Sequence, residues 1–201
     1  PMNPDALARI YVEAAESGDI EKCLSLLSDD LVFSQDPPGV KTKGKAQYEA
    51  ALRENAKWHR RSFDVSYVVN GDEITFAAKA SGDDFRIMGM DYINVSSELQ
   101  IHDGKIISII ATPDSADWAN LVRLSSGGIG VSLALTDKGA RVDTVATNSP
   151  ADEANVQSGD IITAVDGVSY SQMREGEIQL RIRGKLGSKV LLTVIRKGVV
   201  T

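Results

Sequence analysis

A chain of 201 residues has room for one large domain or two small ones. With 42% apolar and 25% charged residues it has ordinary soluble globular composition, and no stretch approaches the roughly 18 apolar residues of a membrane-spanning helix. The net charge of −6 is uneven: residues 1–124 carry 13 Lys+Arg against 20 Asp+Glu and residues 125–201 carry 9 against 8, a balance without a basic stripe that argues against nucleic acid as partner.

Cys23 stands alone, so no internal disulfide can form and a reducing compartment fits. His59 and His102 are far apart in sequence, so no metal site is expected, and no cofactor motif appears. No secretory signal is visible at the N-terminus, and Pro1 reads as a leftover before a native methionine. A soluble cytoplasmic protein is expected, or a plastid-stroma one if a transit peptide has been removed.

Along the first half, Asn3-Pro4-Asp5 opens a helix carrying Leu7, Ile10, Tyr11, Ala14 and Ala15 at helical spacing. Ser17-Gly18-Asp19 ends it and caps a second helix with Ile20, Cys23, Leu24 and Leu27 inside. A short strand at residues 31–33 precedes the turn Asp36-Pro37-Pro38-Gly39, and residues 43–58 read as a third helix. From Ser62 the period becomes two, with Phe63, Val65, Tyr67 and Val69 alternating toward the turn Asn70-Gly71-Asp72. Ile74, Phe76, Ala78 and Ala80 alternate on the return. Residues 81–84 read as a loop, followed by a long strand region to Ile101, the turn His102-Asp103-Gly104, a strand at residues 106–111, and a last helix through Trp118 and Leu121. Strand parity puts Asp91 on one face with Ile93, Val95, Ser97, Leu99 and Ile101. An acid on that inward face would be desolvated and a functional candidate.

The second half opens on Ser125-Ser126-Gly127-Gly128, running into GIGVSL. Glycines in such a turn can aim successive backbone N–H groups at one anion, and the strand that follows can pair with an extended peptide. Downstream come a loop at residues 136–139, a strand at 141–145, a short helix at 151–155 and an apolar strand at 161–165. The hairpin signal Asp166-Gly167, a helix at residues 172–183 and a last strand at 189–196 complete the pattern.

IYVEAAESGDIEKCLSLLSDDLVF, the Asp36-Pro37 turn, KGKAQYEAALREN and ELQIHDGKIISI together resemble the NTF2-like superfamily, in its SnoaL-like and ketosteroid-isomerase-like branch. The resemblance covers about residues 4–122. It implies an α+β cone, three helices on a curved antiparallel sheet, with a cavity that Phe33, Phe63, Tyr67, Phe76 and Ser97 would line. It also implies a homodimer through the sheet face away from the helices. Isomerases of this branch use a Tyr on the first helix and carboxylic acids on or near strands. Tyr11 falls at the Tyr position, Asp36 near the first acid, and Ser97 at or near the second.

GIGVSL, ARVDTVATNSPADEANVQSGDIITAVDG, Ile182-Arg183-Gly184 and GSKVLLTVIRKG resemble a PDZ domain of the C-terminal processing protease type, over about residues 125–198. That implies a β-sandwich or partial barrel with two helices, and a peptide site on Gly128, Ile129, Gly130, Val131, Ser132 and Leu133. The facing helix falls on about residues 174–183, where Arg181 occupies a position often apolar in the relatives. Such proteases need a further domain with a Ser nucleophile and a Lys base, for which these 201 residues leave no room, so a protease is not expected.

Two domains follow, residues 1–124 and 125–201. The expected function is an adaptor that captures a protein C-terminus or extended peptide, dimerises, and holds a small apolar ligand. The alternative is an isomerase or cyclase moving a proton on a small carbonyl compound through Tyr11, Asp36 and Asp91, with the PDZ as targeting module.

Overall fold

The computed structural model describes residues 2–197 and the backbone of residues 199–200. Its contacts divide the chain into two compact units, the first ending at Asn120 and the second beginning at Leu121.

The first unit starts with α1 (Pro4–Ser17), whose N-terminus is capped where Ala6 N–H donates to Asn3 Oδ1 at 2.7 Å. Gly18, at φ 70°, stops it, and the Asp19 carboxylate then caps α2 (Ile20–Ser25) by accepting from Lys22 N–H at 2.9 Å. Two strands follow, β1 (Leu27–Gln35) and β2 (Val40–Lys43), then α3 (Lys45–Lys57), β3 (Arg61–Asn70) and β4 (Glu73–Ser81). The unit closes through α4 (Asp83–Ile87), β5 (Ile93–His102), β6 (Lys105–Pro113) and α5 (Ser115–Ser125), which carries the chain into the second unit.

Its six strands lie in the order β2-β1-β6-β5-β4-β3. The β1–β6 pair is parallel and every other neighbour antiparallel, so the sheet is mixed rather than the wholly antiparallel one expected. Register shifts in the β1–β6, β3–β4 and β5–β6 pairs bend it, because an extra residue on one strand increases local twist. The concave face closes on the helices around Leu7, Ile74, Leu99 and Ile106, which have no exposed surface. Burial of each such side chain contributes on the order of 2 kcal/mol.

Two sequence expectations change here. Residues 83–87 form α4 rather than loop and strand. Asp84 is buried against Arg60 (Nη2 to Oδ2 at 2.5 Å), and Asp83 N–H donates to the Trp58 carbonyl at 2.8 Å. Those partners lie some 25 residues upstream, beyond the reach of local pattern. Because β5 then starts at Ile93, Asp91 falls outside the strand and is exposed, not inward.

Phe63 also changes sides. Asp64 has φ 49°, and the β3–β4 register slips by one residue between Phe63 and Ser66. Phe63 therefore shares a face with Lys79, while Tyr67 shares the opposite face with Phe76. Its ring meets Tyr92 edge-on at 5.9 Å instead of lining the cone.

In the second unit β7 (Val131–Thr136) and β8 (Gly139–Val145) form a hairpin, followed by α6 (Pro150–Glu153), β9 (Ile161–Val165) and β10 (Val168–Ser169). A single 3-10 turn, Tyr170–Gln172, leads to α7 (Glu177–Ile182), β11 (Leu192–Arg196) and β12 (Val199–Val200). The expected long helix is confined to α7 because Gly176, at φ 81°, breaks the helical path. The core is Ala140, Val142, Ile162, Val165 and Ile178, each at most 1% exposed. Asp160, equally buried, accepts from Arg196 Nε and Nη2 at 2.7 Å and from Gln157 N–H at 2.7 Å, so its charge is satisfied on both sides. The main strand order is β12-β11-β9-β8-β7, which leaves one edge of β7 without a paired strand among the described residues.

Candidate functional site: a peptide groove and a tyrosine pair

The free edge of β7 begins at a loop whose backbone is polarised in one direction. The carbonyls of Ile129 and Gly130 are tied back, accepting from Ala151 N–H at 2.9 Å and Ala146 N–H at 2.8 Å. Among the described residues, the N–H groups of Gly128, Ile129 and Gly130 meet no acceptor. Three successive free donors form a concavity suited to a carboxylate. Gly130 holds φ 81°, and a Cβ there would stand 2.3 Å from Ser149 Cβ, so only glycine fits.

A cavity of about 280 Å³ adjoins the loop. Ile129, Val131 and Leu133 line one side; Gln179, Ile182 and Arg183, at i, i+3 and i+4 along α7 and its C-cap, line the other. Gly127 and Gly184 close one end by a pair of backbone hydrogen bonds. Arg181 is turned away from this wall. Its guanidinium holds the buried Glu177 carboxylate, Nη2 to Oε1 at 2.6 Å, so the groove does not carry that charge. A hollow of about 550 Å³ shares Ile129 with the groove and is bounded by Pro150, Val190 and Leu192.

Two groups of aromatic rings pack in the core of the first unit. Phe33 lies 4.9 Å from Tyr48, Tyr11 5.4 Å from Phe76, and Phe76 5.8 Å from Tyr67, ring centre to ring centre. The Tyr11 and Tyr48 phenols lie near enough for each to influence the other's titration. Burial pushes the Tyr48 hydroxyl up to about 12, and burial, with Tyr48 and Cys23 beside it, pushes Tyr11 well above the usual phenol range. Burial, with Asp19 nearby, likewise pushes the Cys23 thiol up to about 11. Both phenols are therefore neutral hydrogen-bonding groups at physiological pH.

A family model, the SnoaL-like domain, matches residues 8–109. The chain belongs to the SnoaL-like domain family. A second model, the PDZ domain, matches residues 127–201 and covers the groove. Among solved structures the chain is similar to a cystatin-like-fold protein of unknown function from Xanthomonas campestris, 20% identical at TM-score 0.52, covering 60% of this chain and 98% of that one. It is also similar to a protein of Pseudomonas putida KT2440 described as a candidate polyketide cyclase, 23% identical at TM-score 0.51, covering 59% and 96%. These likenesses establish the fold of the SnoaL-like half.

Curated relatives are proteases. The chain is 26% identical over 145 residues to the carboxy-terminal-processing protease of Bartonella bacilliformis, covering 67% of this chain and 33% of that protein. It is 35% identical over 69 residues to the probable CtpA-like serine protease of Staphylococcus haemolyticus, covering 34% and 14%. The chain thus spans a third or less of the length of these curated relatives.

Within the SnoaL-like half, Tyr11, Phe33, Tyr67 and Phe76 belong to the helix-side cluster, and Ser97, paired with Phe76, shares that face. Phe63 does not. Asp36 is exposed in the turn after β1, and Asp91 is exposed before β5, so Tyr11's polar neighbours inside are Tyr48 and Cys23 rather than a carboxylate. Tyr48 reads in the sequence only as one more apolar-spaced helix residue, so the pair emerges only from packing. Within the PDZ half, Gly128, Ile129, Gly130, Val131 and Leu133 line the cavity. The Ser132 side chain does not; its hydroxyl is exposed and bonds Thr144 Oγ1 at 2.7 Å across the β7–β8 ladder. Gln179, Ile182 and Arg183 are the added wall; α7's short periodic pattern does not say which side faces the loop.

No described helix is long and apolar enough to cross a membrane. Among the described residues no cluster of three or more His, Cys, Asp or Glu could hold a metal ion.

Proposed function

We propose that this protein is an adaptor. Its PDZ groove captures the free C-terminus of another protein, and its SnoaL-like half dimerises and holds a small apolar ligand. The observation that carries the reading is the set of N–H groups at Gly128, Ile129 and Gly130 that meet no acceptor among the described residues, beside the outer edge of β7. A terminal carboxylate satisfies the donors while its preceding residues extend the sheet. The sheet face away from the helices exposes Val68 (69%) and Ile110 (43%), and we assign dimerisation to it. Two grooves in a dimer gain avidity for a multimeric target.

The test is binding of matched peptides with free and amidated C-termini to the whole chain. Free peptides should bind and amidated ones fail, and Gly130→Glu, which places bulk and negative charge in the loop, should abolish binding of the free form. Equal binding of the two forms would sink the proposal.

A second reading concerns the cone. Tyr11 and Tyr48 present neutral phenols in an apolar setting, a pair able to donate to a ligand carbonyl. The acids expected as proton shuttles, Asp36 and Asp91, stand at the surface. In this reading the cone binds a carbonyl compound without moving its proton. Mass spectrometry of small molecules extracted from the purified protein and from Tyr11→Phe tests it: a carbonyl compound carried by the parent and lost from the variant supports binding, and equal carriage discards the role.

A further inference from the structure

Beside the groove, and sharing only Ile129 with it, lies the larger hollow of about 550 Å³. It is walled by α6 and the turn after it, and by β11 with the segment that leads into it. Pro150, Ala154, Val156, Val190, Leu191 and Leu192 make most of that wall apolar. Pro150, Ala154 and Leu191 are exposed, so solvent reaches the hollow. Leu191 keeps 68% of its surface in water, apolar area that an occupant can cover. Small-molecule sites have volumes in this range and combine apolar walls with a few placed polar groups.

The charges in the wall have one sign to spare. Its acid, Asp160, is 1% exposed and is held by Arg196, Nε to Oδ1 and Nη2 to Oδ2, both at 2.7 Å. Nη2 also donates to the Asn155 carbonyl at 2.6 Å. Arg196 Nη1 meets no acceptor among the described residues, and the exposed Lys189 has no ion-pair partner among them. The unpaired charge in the wall is therefore positive.

We infer that this hollow binds a small anionic amphiphile, a single alkyl chain ending in a carboxylate. The chain covers the apolar wall, and the carboxylate meets Lys189 and the spare Nη1 donors of Arg196. A cationic head group would bring like charge against both residues. A neutral apolar molecule would leave both cations to water and gain nothing from them. The site is distinct from the carboxylate loop, and it stands whether or not the groove takes a protein C-terminus.

The experiment is calorimetric titration of the whole chain with octanoate, decanoate and decyltrimethylammonium, each below its micelle-forming concentration. Decanoate should bind about tenfold more tightly than octanoate, because two further methylenes leave water. Decyltrimethylammonium, with the same chain and the opposite charge, should bind at least tenfold more weakly than decanoate. Lys189→Glu reverses an exposed charge and should weaken decanoate about tenfold. Ala154→Trp puts a ring into the hollow and should abolish binding. The inference is overturned if decanoate does not bind, if it binds no better than decyltrimethylammonium, or if it binds unchanged in Ala154→Trp, which would put it elsewhere on the chain. Should Ala154→Trp fail to fold, Lys189→Glu, which alters only an exposed side chain, decides the matter: undiminished decanoate affinity in that variant overturns the inference as well.

Discussion

Gly127 and Gly184 hold one another by the backbone: Gly127 N–H donates to the Gly184 carbonyl at 2.7 Å, and Gly184 N–H donates back at 3.2 Å. The two residues belong to opposite walls of the groove, the glycine loop and the end of α7. The approach is so close that a Cβ on Gly127 would lie 2.7 Å from the Gly184 carbonyl oxygen. The bridge fixes the spacing between β7 and the helix at the end where a carboxylate would sit.

Gly127→Val should force the walls apart. We expect a loss of about 2 kcal/mol in unfolding free energy, from the close contact and the broken pair. Affinity for a free C-terminal peptide should fall at least tenfold. Urea unfolding followed by peptide titration at a temperature where the variant is folded separates the two; undiminished affinity would show that the bridge does not set the groove.

Gly130 carries two constraints that can be separated. Its positive φ costs any other residue about 1 kcal/mol, and its Cβ would collide with Ser149 Cβ at 2.3 Å. Gly130→Ala should destabilise by about 3 kcal/mol, collision and conformation together. Adding Ser149→Gly removes the collision but not the backbone cost, so the double variant should recover part of the loss. A double-mutant cycle with no coupling would place the strain elsewhere.

The tyrosine pair predicts alkaline sensitivity with a definite sign. Tyr48 titrates near 10 in the unfolded chain and near 12 when folded, so the folded state favours the neutral phenol. Its contribution is fully present below pH 10 and is lost as pH rises toward 12, up to about 3 kcal/mol for a two-unit shift. Unfolding free energies measured from pH 8 to 12 should fall less steeply in Tyr48→Phe than in the parent. Parallel curves would refute the assignment.

Cys23 supplies a chemical check on the same region. A thiol pushed up to about 11 by burial carries little thiolate at pH 8. Its alkylation by iodoacetamide should be roughly a hundredfold slower than that of a free cysteine with a pKa near 9, rising about tenfold per pH unit. Reaction at the free-thiol rate at pH 8 would mean that the side chain is solvated.

Much of this protein is legible in its amino-acid sequence. The helical spacing of Leu7, Ile10, Tyr11 and Ala14, the Asn3-Pro4-Asp5 start and the two-residue period from Phe63 to Ala80 specify helices laid on a sheet, because periodicity records which face is buried. The glycine turn running into Val131 and Leu133 specifies a loop followed by a strand, because few other residues tolerate those backbone angles. What depends on partners distant in sequence is set only when the chain packs. The slip at Asp64 turns Phe63 to the other face, and Asp84 finds Arg60 in a helix where loop and strand were expected, which leaves Asp91 outside the strand. Tyr48 comes beside Tyr11, and Gln179 joins the groove wall, neighbourhoods that no local pattern encodes. Period and turn chemistry are local energies written residue by residue; bulges, buried ion pairs and groove walls are set by which distant segments meet.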